Sequence, residues 1–571
     1  MSHVASVTLA LQRSGQLKPT ERARLLIAAR QSAIGSTLTV KLITFNDFHG
    51  TIKAGEGSAS NPGVARFSTR IKALKAANPM HAVISAGDMI GASPLTSALF
   101  KDEPTIKAMN RIGIDYNAVG NHEFDEGKAE LLRMQRGGNH PTDAYSGLGL
   151  PQDKVNGRFA GARFDFLAAN VVETATGKTL FPAYGVKDFL GNQVAFVGMT
   201  LEGTPTIVSP SGVAGLQFAD EADTVNALIP QLRAQGIKSV VVLIHEGGFA
   251  SGNLASCAGV SGAIVDIVAR LDAEVDLVAT GRTHQAYNCQ LPKRDGKPVR
   301  VTSSGQYARQ LGDIDLTIDT HSKDVSAVVV TILSTNAGTG STTVEDPALT
   351  DLVAHYDSLS AVPKARVIGT ITQAISRTSN AAGESALGDV IADAQLAATS
   401  GASTGHAVVA FMNPGGIRAD LPFNAGGQVT YGDAFTVQPF GNSLVTLTLT
   451  GAQIKTLLET QFTGCNGQGS FNRILQVSNG FQYHYTAASA CNSRVTSMAI
   501  NGAAVNPAAA YRVTVNNFLA DGGDAFGVLV QGHQRLGGAD AARVHEGHHR
   551  MAGARAAGGG QLRVGDHDAQ R

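Results

Sequence analysis

The sequence predicts an α/β fold in which ligand-type side chains follow buried parallel strands. Short apolar runs rich in β-branched residues, such as LTVKLITF at 38–45, have the length of buried strands rather than of helices. Several of these runs end directly in clusters that contain Asp, Asn or His. The chain also has 65 glycines, which suit tight connections and close approach to ligands. Because open α/β sheets bind ligands at the carboxyl ends of their strands, we expect these clusters to form one site.

Five predicted strands end in such residues. In chain order the polar clusters are Asp47–His49, Gly87–Asp88, Gly120–Glu123, His245 and Gly281–His284. A single Asp-x-His motif is more often a chance occurrence or a turn than a set of ligands. Five clusters in series make coincidence an inadequate explanation, so the sequence predicts a shared site.

The chemistry of these side chains indicates divalent cations. Carboxylates, an amide oxygen and imidazoles, with no thiolate among them, form the mixed O/N set that suits zinc, manganese, cobalt or iron. A carboxylate such as Asp88 can bridge two cations about 3.5–4 Å apart, which then clamp the attacking and leaving oxygens of a phosphoryl group. The clusters therefore predict a two-metal phosphoesterase.

The ordered motifs resemble those of the 5'-nucleotidase family of calcineurin-like metallophosphoesterases, which includes bacterial periplasmic UDP-sugar hydrolases. The resemblance extends over about residues 38 to 530 and has signatures in both halves of the chain. It implies a four-layer αββα metallophosphoesterase domain, a β-sandwich flanked by helices, together with a smaller mixed α/β nucleotide-recognition domain. The residues alone predict no more than the α/β class.

The resemblance also implies two bound divalent ions, whose identity among Mn, Zn, Co, Fe, Mg and Ca stays open. One ion would be bound by Asp47, His49 and His284, the other by Asn121 and His245, with Asp88 between them.

His122 and Asp125 match the catalytic His-Asp pair of the family. In that role His122, oriented by Asp125, would stabilise charge on the phosphoryl group or protonate the leaving oxygen. Metal-bound hydroxide would be the nucleophile.

The fifth cluster departs from the family pattern. The family has Gly-His-x-His or Gly-His-x-Gln there, whereas this chain has Gly281-Arg282-Thr283-His284. A guanidinium cannot donate a lone pair to a metal, so Arg282 would either turn away or hold the substrate phosphate. We expect weaker occupancy of the second metal site and reduced turnover.

The second half carries the motifs of the family's substrate-binding domain. Asn413-Pro-Gly-Gly-Ile-Arg418 places two glycines beside an amide and a guanidinium that can pair with phosphate or ribose oxygens. The resemblance implies a base held between Phe440 and Phe518, with polar contacts from Asn442 and Asp524. Core packing is the alternative for each phenylalanine taken singly. The family's further arginine has an uncertain equivalent in Arg377.

Length and composition fit an enzyme of more than one domain. At 571 residues the chain exceeds what one hydrophobic core normally supports. Lys+Arg and Asp+Glu both number 46, so nothing in the charge balance indicates a nucleic-acid polymer as partner. No apolar stretch approaches the roughly 18 residues of a membrane-spanning helix. The expected partner is a nucleotide substrate, and the oligomeric state stays open.

We divide the chain into five segments. They are an N-terminal extension at 1–37, the metallophosphoesterase domain at 38–335, a linker with a helix from about 347 to 359 at 336–365, the substrate-binding domain at 366–530, and a disordered or altered tail at 531–571.

The location of the protein is left with two alternatives. The resemblance implies a periplasmic or extracellular protein. Residues 1–37, however, lack the basic and apolar regions of a secretory signal and have the pattern of a charged amphipathic helix, so a cytoplasmic location stays open. Cysteine pairing as 257–289 and 465–491, the most local of three arrangements, favours an oxidising compartment over four reduced thiols.

Two function classes follow from the sequence. The first is an active phosphohydrolase on nucleoside 5'-monophosphates, with nucleotide diesters, 2',3'-cyclic nucleotides and UDP-sugars as further candidates. The second is a nucleotide-binding relative whose catalysis is impaired by Arg282.

Overall fold

A computed structural model describes residues 36–57, 60–254, 256–335, 343–469, 471–537 and 564–566. The amphipathic helix expected within the N-terminal extension and most of the expected tail lie outside these residues. Below, residues 36–335 are called the N-terminal part and residues 366–537 the C-terminal part.

The first sheet of the N-terminal part has six strands and contains three of the predicted ones. Its strands, from one edge to the other, are Val325–Ser334, Gln310–Asp319, Thr37–Phe45, His81–Ser85, Tyr116–Ala118 and Asp165–Leu167. The last four are mutually parallel, while Gln310–Asp319 pairs antiparallel to Thr37–Phe45. The first three polar clusters therefore leave the same edge of this sheet.

The second sheet also has six strands and contains the two remaining predicted ones. In order they are Ala286–Pro292, Pro298–Ser304, Val275–Thr280, Ser239–Ile244, Asn192–Met199 and Tyr184–Phe189. The four central strands are parallel, and both edge strands are antiparallel to their neighbours. His245 and the 281–284 loop follow adjacent strands.

Hydrophobic burial stacks these sheets face to face and covers both outer faces with helices. Val40 and Leu42 of the first sheet share a core with Phe196 and Leu243 of the second. The alternate side chains of these strands pack on helices, because successive residues of a strand point to opposite faces. The helices are Gly63–Ala77, Leu95–Ala98, Glu103–Ile112 and Lys128–Arg136 on the first side, and Glu221–Ala234 and Ala263–Arg270 on the second.

The expected four-layer αββα arrangement is thus confirmed, within a mixed α/β fold. Shorter elements complete the N-terminal part. They are the paired strands Lys154–Val155 and Arg158–Phe159, Val171–Glu173 and Leu216–Phe218, and Phe249–Ser251 and Ala258–Ser261, with 3₁₀ turns at His122–Phe124, Pro151–Asp153, Thr204–Thr206 and Pro210–Val213.

The helix between the two parts runs from Pro347 to Ala365, six residues beyond its expected end. Asp346 caps it by accepting a hydrogen bond from the amide of Ala348. Leu349, Leu352 and Tyr356 pack into the core of the N-terminal part, and buried positions continue to Ser360, which explains the greater length.

The C-terminal part is a smaller mixed α/β unit with its own core. Its main sheet has the order Gln476–Val477, Val409–Met412, Ala510–Asn516, Leu444–Thr450 and His533–Gly537. The other strands are Val367–Thr370 paired with Gln428–Thr430, and Ala503–Ala504, Val495–Ile500, Phe481–Tyr485 and Val564–Asp566 in one sheet. The helices are Ala386–Thr399, Tyr431–Val437, Gly451–Thr460 and Asn517–Ala520, with 3₁₀ turns at Pro414–Gly416, Ala425–Gly427, Gly523–Ala525 and Gly527–Gln531.

The expectation of a disordered or altered tail from residue 531 needs one correction. Residues His533–Gly537 form an edge strand antiparallel to Leu444–Thr450, because the backbone groups of that strand's outer edge are available for pairing. Val564–Asp566 forms a further short strand, and the remaining tail residues lie outside those described.

Both expected disulfides are present, one in each part. Cys257 is bonded to Cys289 and Cys465 to Cys491, so the alternative of four reduced thiols is wrong for this structure. Within the described residues, no helix combines the length and the apolar character needed to traverse a bilayer.

Candidate metal centre

The predicted ligands converge where the two stacked sheets present the carboxyl ends of their parallel strands. Two groups of these predicted ligands have ligand atoms within 4.8 Å of one another, and Asp47 belongs to both. The first group adds His49 and His284, and the second adds Asp88 and His245. Asp88 Oδ2 lies 3.0 Å from His245 Nε2 and 3.7 Å from His49 Nε2, so this carboxylate stands between the groups.

The loops that carry these ligands have a strained backbone at the ligand residues themselves. Asp47, His49, Asp88 and His284 all have positive φ angles, of 48°, 47°, 51° and 59°. Such angles are uncommon for residues other than glycine and gather at functional sites. The loops are also tightly packed. A Cβ atom added to Gly120 would lie only 2.2 Å from Asp88 Oδ1.

Second partners fix the orientation of two imidazoles. His245 Nδ1 donates a hydrogen bond to the carbonyl of Ala86 at 2.7 Å, and His49 Nδ1 donates one to the carbonyl of Gly91 at 2.9 Å. Each ring then directs Nε2 toward the carboxylates, as metal-ligating histidines do. Burial lowers the pKa of His49 to about 3, so its imidazole is neutral at neutral pH.

His245 provides the clearest sign that a cation fits here. Its Nε2 atom is buried and has no hydrogen-bond partner, although Asp88 Oδ2 lies at ion-pair distance. Burial alone would lower the pKa of His245, but Asp88 outweighs burial and raises that pKa to about 10. A divalent cation between Nε2 and the Asp88 carboxylate would replace this proton. The oxygen and nitrogen donors fit the expected divalent metals.

Glu123 connects two of the ligand loops, a role that the sequence did not reveal. Its carboxylate accepts hydrogen bonds from the backbone amides of Asp88, Met89 and Gly120 at 3.0, 2.8 and 2.8 Å. Burial, assisted by the charge of Asp88, raises the pKa of Glu123 to about 7. The glutamate stands in the Gly120–Glu123 cluster, but only the tertiary structure shows which amides it binds.

Asn121 and His122 begin the 3₁₀ turn that follows the third strand. Asn121 is buried, and the amide of His122 donates to Asp88 Oδ1 at 2.8 Å, which places this turn against the second group. His122 Nδ1 lies 2.9 Å from Asp125 Oδ2. Burial acts to lower the pKa of His122, but Asp125 and Asp88 reverse this and raise it. The predicted His-Asp pair is therefore hydrogen bonded beside the cluster.

Arg282 contributes its backbone rather than its side chain to the cluster. Its amide donates to Asp47 Oδ2 at 3.0 Å, and its φ angle is 70°. The guanidinium turns toward Glu246, with Nε 3.5 Å from Oε1. In this structure the side chain lies beside Glu246, and its contact with a substrate phosphate stays a prediction.

The predicted substrate residues fall into two sets. Arg418 and Phe440 face the cluster: the Phe440 ring stacks on His122 with centroids 5.9 Å apart, and the Arg418 guanidinium lies 5.7 Å from the Phe440 ring. Asn442 is half-buried in the same loop. Arg377 is exposed and donates to the carbonyl of Ile417 at 3.0 Å, so it supports the loop that carries Arg418.

The second set is bound within the C-terminal part. Asp524 accepts a hydrogen bond from Asn413 Nδ2 at 2.8 Å and pairs with Arg473 Nε at 3.2 Å. Burial raises the pKa of Asp524, with Arg473 opposing that rise. Phe518 packs against the core and its ring covers Gly523. Sequence reasoning missed Arg473, for which no motif gave a signal.

A cleft between the two parts lies beside the cluster. It is lined on one side by Thr51, Ser93 and Tyr307 and on the other by Arg418 and Thr436. The Tyr307 ring, which lines the cleft, also contacts His49 and His284 of the candidate metal centre.

Comparisons with known proteins agree with this arrangement. Residues 367–531 match the family model of the 5'-nucleotidase C-terminal domain. The chain is 30% identical to the Endonuclease YhcR of Bacillus subtilis over 500 residues, which cover 86% of this chain and 38% of that protein. It is 30% identical to the cell wall protein Lmo0130 of Listeria monocytogenes, with 86% of this chain and 64% of that protein covered. The chain therefore spans less than two thirds of either relative.

Among solved structures, the fold is similar to that of a 5'-nucleotidase precursor from Thermus thermophilus. The TM-score is 0.73 at 25% identity, and the superposition covers 92% of this chain and 99% of the other.

Proposed function

The chain belongs to the 5'-nucleotidase family of metallophosphoesterases, and we propose that it is a dinuclear-metal phosphohydrolase that releases phosphate from nucleoside 5'-monophosphates. The observation that carries this proposal is the convergence of Asp47, His49, Asp88, His245 and His284. Segments far apart in the chain bring ligand atoms to one point, and a role in packing alone would not require this combination of donors.

In the proposed site, Asp47, His49 and His284 would hold the first cation, and Asn121 and His245 would hold the second, with Asp88 between them. Two divalent cations held there would polarise the phosphoryl oxygens and activate the attacking water. The Nδ1 hydrogen bonds from His49 and His245 to carbonyl groups keep both rings ready to bind.

The proposed catalytic pair is His122 and Asp125. The Asp125 carboxylate lies 2.9 Å from Nδ1 and thereby leaves His122 Nε2 to stabilise charge on the phosphoryl group or to pass a proton to the leaving oxygen. The raised pKa of His122 supports a proton-donating role near neutral pH.

Substrate binding is assigned to Asn413, Arg418, Phe440, Asn442, Phe518 and Asp524, with Arg377 behind the Arg418 loop. The position of Arg418 beside Phe440 and His122 supports contact of its guanidinium with the phosphate. Separate cores in the two parts support the proposed division into domains at 38–335 and 366–530.

Phosphate release from AMP tests the proposal. The metal-free protein is assayed with Mn²⁺, Co²⁺ or Zn²⁺ added singly, beside Asp88→Asn. Activity that requires a divalent metal and is lost in Asp88→Asn supports the proposal, and metal-independent activity contradicts it. UDP-glucose, a 2',3'-cyclic nucleotide and a nucleotide diester extend the assay, since relatives include a protein named as an endonuclease and a trifunctional nucleotide phosphoesterase.

A nucleotide-binding relative with impaired catalysis is the second candidate, and the position of Arg282 favours it. The guanidinium lies beside Glu246 and offers no lone pair, so in the proposed assignment the second cation would have fewer protein ligands than the first. Metal content per chain separates the candidates. If Arg282→His binds one more metal ion per chain and hydrolyses AMP faster than the parent, the result supports impaired catalysis in the parent. Equal metal content and an equal rate of hydrolysis contradict it.

We also propose a periplasmic or extracellular location. The two disulfides support it, because such bonds persist mainly in oxidising compartments, and one relative is named as a cell wall protein.

A further inference from the structure

Tyr307 is an aromatic residue of the candidate metal centre to which the sequence motifs gave no role. It follows the strand Pro298–Ser304, and its ring lies edge-on to two imidazoles. The ring centroids are 5.7 Å from that of His49 and 5.6 Å from that of His284, with interplanar angles of 62° and 68°. Both histidines belong to the first group of ligands.

His284 needs such a contact more than the other histidines do. His49 and His245 are oriented by Nδ1 hydrogen bonds to backbone carbonyls. In the described part of the chain His284 has no such bond, and its side chain is 25% exposed against 1% for His49. Its Nε2 atom nevertheless lies 3.2 Å from Asp47 Oδ1 and 3.2 Å from His49 Nε2. Packing must therefore set the orientation of this ring.

The Tyr307 backbone ties the ring to the same site. Its amide donates a hydrogen bond to the carbonyl of Asp47 at 2.8 Å. Tyr307 and Ala308 have φ angles of 55° and 59°, two consecutive left-handed residues of a kind that is costly outside glycine. The Arg309 guanidinium lies 5.4 Å from the ring centroid. This strained loop holds the tyrosine ring against the imidazoles.

We propose that Tyr307 is a positioning residue of the first cation group, in which its aromatic ring holds His284, and with it His49, in the orientation that binds a divalent cation. The inference rests on the proposed function, because it presumes that the first group binds a metal. The aromatic ring orients the histidines, and the hydroxyl group has no part in this role.

A Mn²⁺ titration of the metal-free protein, followed by calorimetry and by the electron paramagnetic resonance signal of free Mn²⁺, tests this role without an activity assay. Tyr307→Leu removes the ring, and the affinity of one of the two sites should fall about 10- to 100-fold, as when other supports of metal ligands are lost. Tyr307→Phe keeps the ring and should bind Mn²⁺ within about threefold of the parent. Tyr145→Leu, at an exposed tyrosine that contacts Phe100, is the matched control and should leave the titration unchanged.

A double-variant cycle distinguishes positioning from general destabilisation. With His284→Ala in the background, Tyr307→Leu should lower Mn²⁺ affinity no further, because the ring acts through His284. An additive loss would overturn the inference, and so would an unchanged titration of Tyr307→Leu or an equal loss in Tyr307→Phe. If Tyr307→Leu does not fold by circular dichroism, Tyr307→Met replaces it with the same expectations. A parent that binds no Mn²⁺ would instead contradict the proposed function itself.

Discussion

The candidate metal centre differs from the predicted substrate residues of the C-terminal part, Asn413 and Asp524, in how the side chains are held. At the metal centre, ligand side chains leave strained loops, and backbone amides and carbonyls fix them one by one, as Ala86 does for His245. In the C-terminal part, Asp524 accepts a hydrogen bond from Asn413 and forms an ion pair with Arg473. The metal centre is thus arranged to bind an added cation, while the polar side chains of the C-terminal residues already bind one another.

This difference bears on how a substrate would bind. A nucleotide that contacts Asp524 must compete with Arg473 and Asn413, at a cost in free energy that the ligand has to offset. At the metal centre, by contrast, Arg418 and Phe440 already face His122. The metal centre should therefore dominate catalysis, and the C-terminal residues should dominate the stability of their own part.

The largest expected effect is at Asp88, the carboxylate that stands between the two groups of ligands. Asp88→Asn keeps the shape and the acceptor for the His122 amide but removes the charge between His49 and His245. We expect kcat/KM for AMP to fall about 10³-fold, the upper range for losing one charged contact to a transition state. Glu126→Gln, at an exposed glutamate, is the control. A kcat/KM of Asp88→Asn near that of the parent would show that the metal centre does not dominate catalysis.

His122 lies where the two regions meet, and its replacement should affect the rate more than binding. In His122→Asn we expect kcat to fall about 10²- to 10³-fold with KM close to the parent value, because a proton donor acts in the transition state. Steady-state kinetics with AMP measure both constants. A rise in KM with kcat unchanged would instead assign His122 to substrate binding.

Asp524→Ala should reduce the stability of the C-terminal part. It leaves the largely buried Arg473 without its ion-pair partner, and breaking a buried pair in this way costs about 3 kcal/mol. Asp521→Ala, in the same segment, breaks an exposed pair with Arg535 and should cost less than about 1 kcal/mol. Urea unfolding followed by circular dichroism compares them. Equal losses in the two variants would show that Asp524 is free to bind substrate rather than engaged in structure.

Metal removal should give the smallest change in stability. This change should not depend on the residues of the C-terminal part. A ligand at 100 times its dissociation constant stabilises the folded state by about 2.7 kcal/mol. We expect chelation to lower the unfolding temperature of the N-terminal part by the corresponding amount, equally in the parent and in Asp524→Ala. Differential scanning calorimetry with and without EDTA measures this shift. A different shift in the variant would show that the two regions are energetically coupled.

Local patterns in the sequence were sufficient to identify the strands and the residues that follow them. Runs such as 38–45 predicted strands because their apolar, β-branched residues suit buried positions, and Thr37–Phe45 is one. The αββα layers were expected through family resemblance, and the structure confirms them. The roles of individual ligands and substrate residues stay predictions.

The sequence by itself predicted five strands and the polar clusters at their ends, because apolar runs and the residues that follow them are local patterns, and it favoured the most local of three cysteine pairings. Only the tertiary structure decided that Arg282 turns to Glu246, that Glu123 binds the Asp88 loop and that Tyr307 contacts His284. Those contacts join segments that are distant in sequence, and their geometry depends on packed sheets and strained loops that local propensities do not encode.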